Sequence, residues 1–182
     1  MLAYVFWHTR RPDIPAPAYE AAHRQFHDAL WATPVAGLLA LRIHRLAELP
    51  WLQAEQGGYE DWHLLENSAA LDVLNVAAVT RARQAAHDRI AAMAGGGTAA
   101  LYGLRAGAPI APAFAYWISK PAGMKYPAFD ESMRPLISDG CCLWSRRMVL
   151  GPTPEFCLHA PVAVTPPHPA LALKIDLQHS LE

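Results

Sequence analysis

Long apolar runs are missing from this chain of 182 residues, and no stretch reaches the length that carries a helix across a bilayer. Blocks of Lys or Arg are missing too, and the formal net charge is -1, so neither a global nor a local field draws nucleic acid. The opening stretch Met1 to His8 has no basic n-region and no cleavage site, which makes a cytoplasmic location the expectation. Cysteine is scarce: Cys141 and Cys142 are adjacent and Cys157 stands apart, a spacing that suits neither a metal nor full pairing, so reduced, buried thiols are expected. Gly95-Gly96-Gly97 follows a helical stretch rather than preceding one, which excludes a phosphate cradle, and no Ser or Cys sits in a nucleophile elbow.

What is present is apolar and echoed. Residues of hydrophobic type make up 53% of the chain, enough to fill a core. Pro17-Ala18-Tyr19-Glu20-Ala21-Ala22-His23-Arg24 is answered by Pro127-Ala128-Phe129-Asp130-Glu131-Ser132-Met133-Arg134, with proline, aromatic, acid and arginine at the same offsets. Upstream, Ala3 to His8 answers Ala115 to Lys120; downstream, the run opened by Gly37 answers the run opened by Gly140. Three features in the same order point to an internal duplication.

Alternation predicts a strand over Leu2 to Thr9, apolar on both faces, with Tyr4, Phe6 and His8 on one and Ala3, Val5 and Trp7 on the other. Helical spacing of Tyr19, Ala22, Phe26 and Leu30 predicts a helix from Ala18 to Trp31, stopped by Thr33-Pro34. Strands follow at Gly37 to Leu46 and Tyr59 to Leu65, joined by a connection over Glu48 to Gly58. Asn67 or Ser68 caps a helix from Ala69, which breaks near Ala77 to Thr80, runs on to Met93 and ends at the three glycines before a strand at Thr98 to Arg105. That is the ferredoxin-like order. After a linker at 107–112 the order restarts with a strand at Ala113 to Ser119, a helix near Phe129 to Ile137 and strands at Cys141 to Leu150 and Glu155 to His159. The expected organisation is a first unit at 1–106, a truncated second unit at 113–160 and a proline-rich arm at 161–182. Leu181-Glu182 is a pair that cloning also leaves behind.

Histidine carries most of the candidate chemistry. His8 ends a buried strand beside Tyr4 and Phe6, where an imidazole is either a general base or a hydrogen-bonded structural group; the second copy has Lys120 there. His63 stands mid-strand beside Trp62 and is either a partner of an acid or a group aimed at a ligand. Arg42 and His44 share one face of the second strand and could line the same cavity, although a solvated strand-end position is the plainer expectation. His23 and His27 are spaced i, i+4, which is ligand spacing for a metal or haem, but Arg24 stands between them, no third His lies close in sequence and no metal is expected. Tyr4, Phe6, Trp62 and Tyr116 are candidate substrate contacts, with core packing the competing role for any aromatic.

Strands apolar on both sides need a cover for each face of the sheet. Two ferredoxin-like βαββαβ units packed sheet to sheet, the second truncated, resemble the dimeric α+β barrel superfamily with both units fused in one chain. Trp62-His63-Leu64-Leu65-Glu66-Asn67-Ser68-Ala69-Ala70-Leu71 is similar to that superfamily's passage from third strand to second helix. The resemblance implies a pocket between sheet and helices for an aromatic or polyketide-like small molecule. It also implies a range of activities: cofactor-independent monooxygenases and isomerases, ligand-binding relatives, and haem-binding or haem-degrading members. The expectation is a small-molecule-binding protein with His8 or His63 as base and no cofactor, haem being the alternative. It works as a monomeric pseudo-dimer or a homodimer.

Overall fold

The computed structural model describes residues 1–52, 57–147, 151 and 153–182. The first half runs β1 (Leu2–Arg10), α1 (Ala16–Trp31), β2 (Leu38–Leu46), β3 (Gly58–Leu65), α2 (Ala69–Ala78), α3 (Gln84–Met93) and β4 (Ala94–Ala106). The second half runs β5 (Phe114–Ile118), α4 (Tyr126–Ser138), β6 (Cys142–Arg146), β7 (Phe156–Ala160), β8 (Ala170–Lys174) and β9 (Asp176–Leu181). Pro17 falls in the first turn of α1, where its missing N–H has no helical partner to lose. Asn67 caps α2, its Oδ1 accepting the N–H groups of Ala69 and Ala70 at 3.0 and 3.2 Å. The predicted break before Met93 is a short 3-10 turn at Arg81–Arg83. The three glycines do not end a helix: α3 stops at Met93 and they open β4. The expected Glu48 to Gly58 connection holds a 3-10 turn at Pro50–Leu52, while 53–56 and, in the expected Cys141 to Leu150 strand, 148–150 lie outside the described residues.

The described strands form one antiparallel sheet in the order β8-β5-β7-β6-β4-β1-β3-β2-β9. Two separate sheets pressed together are therefore not what forms, because β4 and β6 pair edge to edge, from Tyr102↔Arg146 to Ala106↔Leu143. The tail completes the design. β8 pairs with β5, β9 pairs with β2, and only Ile175 separates them, so the sheet's two ends belong to one stretch of chain. Ile175 bridges the gap by donating its N–H to the Ala113 carbonyl at 3.0 Å. One stretch of chain thus covers the outer edges of both β5 and β2, which accounts for the expected arm becoming strand. The result is an α+β barrel.

Residues of one alternating set point inward. Trp7 of β1 meets Trp117 of β5 with ring centroids 5.6 Å apart, and Trp62 of β3 meets His159 of β7 at 4.3 Å, contacts that reach across the barrel rather than along the sheet. Outside, α4 covers β5–β7 through Phe129 and Met133, with Phe129 stacked on Phe156 at 4.3 Å, while α1, α2 and α3 cover β1–β3. All three cysteines are free and buried, and burial pushes the Cys142 thiol up to about 11.

The barrel interior also holds polar groups. Glu60 is fully buried, accepting the Trp7 indole N–H at 2.7 Å and meeting His44 Nδ1 at 3.0 Å. The solvated strand-end position expected of Arg42 and His44 from their charge is not the one they take. Both point inward, and Arg42 donates to the Ile110 carbonyl at 2.5 Å and to Glu182 at 2.5 and 3.1 Å. His159 is buried against Trp62 with neither ring nitrogen paired among the described residues. Burial first, then the nearby charges of His44 and Arg42, holds its pKa well below the usual imidazole value.

His159 consequently stays neutral in the fold while the unfolded chain takes up a proton near pH ~6.5. Its share of stability is whole above that pH and declines by about 1.4 kcal/mol per pH unit below it. Urea unfolding at a series of pH values checks this: His159→Phe is expected to make stability fall less steeply between pH 6 and 5, by about one proton's worth of slope. An unchanged slope would show that His159 is protonated in the fold.

Candidate functional site

A cavity of about 730 Å³ lies between the outer face of β1 and β3 and the roof formed by α1, α2 and α3. Strand alternation places Tyr4, Phe6 and His8 of β1 and Asp61 and His63 of β3 on its floor, in the register Tyr4↔His63 and Phe6↔Asp61. The roof brings Tyr19, His23, Phe26 and Leu30 from α1, Leu71 and Leu74 from α2 and Ile90 from α3. Gly97 completes the floor beside Phe6. A Cβ at Gly97 would fall 2.7 Å from the Phe6 ring and 2.7 Å from the Trp7 carbonyl, so the absence of a side chain is what lets the ring lie flat over β4.

Asp61 is the centre of the polar end. The residue is 4% exposed, and its Oδ2 meets His23 Nε2 at 2.8 Å and His8 Nε2 at 3.3 Å, while His27 Nε2 stands 3.8 Å away. His8 turns its other nitrogen to the Tyr19 hydroxyl at 2.6 Å, and His27 Nδ1 donates to the His23 carbonyl at 3.1 Å. The spacing of His23 and His27 puts both on the buried face of α1, and the carboxylate they meet arrives from β3.

Burial raises the Asp61 pKa but the surrounding histidines, His23 foremost, outweigh it and hold the carboxyl well below its usual range. Burial lowers His8 and His63, against the pull of Asp61, and takes His27 down to about 3. Burial and the Asp61 charge push Tyr19 and Tyr4 upward, so both phenols stay protonated. The Asp61 Oδ1, His23 Nδ1, His27 Nε2 and His63 Nδ1 atoms are buried without a hydrogen-bond partner among the described residues.

The structure therefore brings Tyr4, Phe6, His8 and His63 into one cavity. Trp62, His44 and Arg42 belong to the opposite, inward set and do not line it. Tyr116 lies in the second half beneath α4, where its hydroxyl accepts the Val164 N–H at 2.9 Å. Asp61 and Tyr19 escape a reading by residue type, since Asp61 sits in an otherwise unremarked strand and Tyr19 reads as helix core. The available signal is Glu60-Asp61 between Tyr59 and Trp62: two adjacent acids inside a strand apolar on both faces must each be buried and each find a partner.

No protein-family model matches the chain, and no curated protein matches it in sequence. Solved structures do. A candidate chlorite dismutase, TA0507, aligns with a TM-score of 0.50 at 12% identity, over 96% of this chain and 94% of that one. A candidate monooxygenase from Lactobacillus acidophilus NCFM aligns with a TM-score of 0.52 at 9% identity, over 96% of this chain and 75% of that one. The chain shares the fold of both. At such identity the likeness speaks for fold alone.

Haem, the alternative cofactor expected from the sequence, does not suit the cavity: among the described residues its lining offers two carboxylates, Asp61 and Asp72, and no Lys or Arg to receive two anionic propionates.

Removing the acceptor at the centre leaves the imidazoles of His8 and His23 buried without their carboxylate. Asp61→Ala is expected to lower stability by about 3–5 kcal/mol. Asp72→Ala, exposed at the rim, is expected to change it by no more than about 0.5 kcal/mol. Chemical denaturation of the two variants beside the parent checks both values.

Proposed function

We propose that the protein is a small-molecule enzyme whose active site is the cavity beneath α1–α3, working by proton transfer on an aromatic or enolisable substrate. The observation that carries this reading is the make-up of the cavity: His63, a buried imidazole kept neutral by its surroundings, stands on the floor of a largely apolar space whose polar end is built by Asp61, His8, His23 and Tyr19. A substrate ring packs against Phe6, Phe26 and Leu74, with its hydroxyl or carbonyl oxygen toward the Tyr19–His8 end. The His63 imidazole takes the acidic proton, and the electron pair moves to that oxygen, which the polar end stabilises. An isomerase returns the proton at another carbon; an oxygenase lets the carbanion add to dioxygen, one oxygen staying on the carbon as a carbonyl and the other leaving as water with the carbon's two hydrogens. The sheet closes within one chain through β8 and β9, which supports a monomeric pseudo-dimer as the working form.

Deuterium exchange at the acidic carbon of a panel of small 1,3-diketones and dihydroxynaphthalenes, followed by proton NMR, tests the reading. Saturable, catalysed exchange is expected, with kcat falling about 100-fold or more in His63→Ala and KM moving less. Exchange as fast in His63→Ala and His8→Ala as in the parent would sink it.

A further inference from the structure

We propose that His8, His23 and Asp61, with His27 as a fourth donor, form a site for a single divalent transition-metal ion of the zinc, cobalt or ferrous class. The site shares the cavity with the function above but rests on different atoms. The donor atoms of His8, His23 and Asp61 lie within 4.8 Å of one another and are all buried. Two of the separations are already 2.8 and 3.3 Å. A tetrahedral ion about 2.0–2.2 Å from each nitrogen and oxygen spaces neighbouring donors by about 3.4 Å, so a movement of about half an ångström at the closest pair is enough to receive it.

The unpaired atoms argue in the same direction. His27 gives its Nδ1 proton to the His23 carbonyl, so in the neutral ring the Nε2 lone pair faces the Asp61 carboxylate across 3.8 Å. Two lone-pair atoms facing each other out of water repel unless a cation lies between them. Asp61 Oδ1 is also without a partner. The outer nitrogens of His8 and His27 are held by the Tyr19 hydroxyl and the His23 carbonyl, the outer anchoring that metal-binding imidazoles show. Two or three imidazoles with one carboxylate suit zinc, cobalt or ferrous iron rather than magnesium or calcium. His8, His23 and Asp61 line the cavity, leaving a coordination position open toward it.

Cobalt(II) serves as probe. Full-length protein stripped with chelator is titrated with Co²⁺ while visible absorption is followed, and bound Zn²⁺ is counted after equilibrium dialysis. One ion per chain is expected, with ligand-field bands of nitrogen and oxygen coordination. Tyr19→Phe is expected to weaken binding roughly 10-fold, and His23→Gln or Asp61→Asn by about 100-fold or more. His87→Gln, away from the cluster, is expected to bind as the parent does. Thermal melts of each variant keep the test readable, since Zn²⁺ is expected to raise the Tm of the parent and of His87→Gln and to leave Asp61→Asn unmoved. Absence of stoichiometric binding, or equal binding in His23→Gln and Asp61→Asn, would overturn the proposal. Proton exchange on metal-free protein separates the two readings. Exchange without any metal binding removes the metal site alone, whereas stoichiometric metal with no exchange removes the enzyme reading alone.

Discussion

A carboxylate shut away from water is the constraint on which the first half depends. An ion the size of Asp61 loses several kcal/mol of solvation on burial, and only close donors offset that loss. The sequence supplies them from two elements: His8 from β1, and His23 and His27 one turn apart on α1. Satisfying Asp61 therefore fixes the rotation and height of α1 above the sheet. With α1 held there, α2 and α3 span the remaining roof and leave a cavity instead of collapsing onto β1 and β3.

β3 performs the same task on its other face. Glu60 and Asp61 are neighbours in a strand, so alternation sends one inward and one outward. Glu60 holds Trp7 and His44 inside the barrel while Asp61 holds the histidines outside it. A slip of one residue in the β1–β3 register would exchange the two acids and leave both without partners, so the buried charges specify register as well as position. The interior contrasts with the cavity in one respect. Its aromatic side chains fill the space, with Trp7, Trp62, Trp117 and Trp144 all fully buried.

Much of the fold is legible in local pattern. The two-sided apolar run of Leu2 to Thr9 reads as a buried strand, Asn67 reads as a cap, and the spacing of Tyr19, Ala22, Phe26 and Leu30 reads as a helix face. Alternation also groups Tyr4, Phe6 and His8, and pairs Arg42 with His44, correctly. What alternation does not say is which face of a strand is the inside of a barrel. Arg42 and His44 therefore look solvated by composition yet are buried, since their partners, the Ile110 carbonyl and the Glu60 carboxylate, are remote in sequence or hidden within another strand. The closure by residues 170–181 is illegible for a similar reason: a short apolar segment after a run of prolines gains its strand character only from the two free edges it joins. Asp61 is the sharpest case, because its significance lies wholly in histidines contributed by β1 and α1.

The most direct test of this account reads the ring nitrogens themselves. Long-range proton–nitrogen NMR on protein labelled at its histidines, metal-free and near neutral pH, reports the protonation and tautomer of each ring. The account predicts a neutral His27 carrying its proton on Nδ1, with an Nε2 lone pair turned toward Asp61. A charged His27, or one with its proton on Nε2, would mean that the carboxylate already has its partner there, and the arrangement described around Asp61 would be wrong.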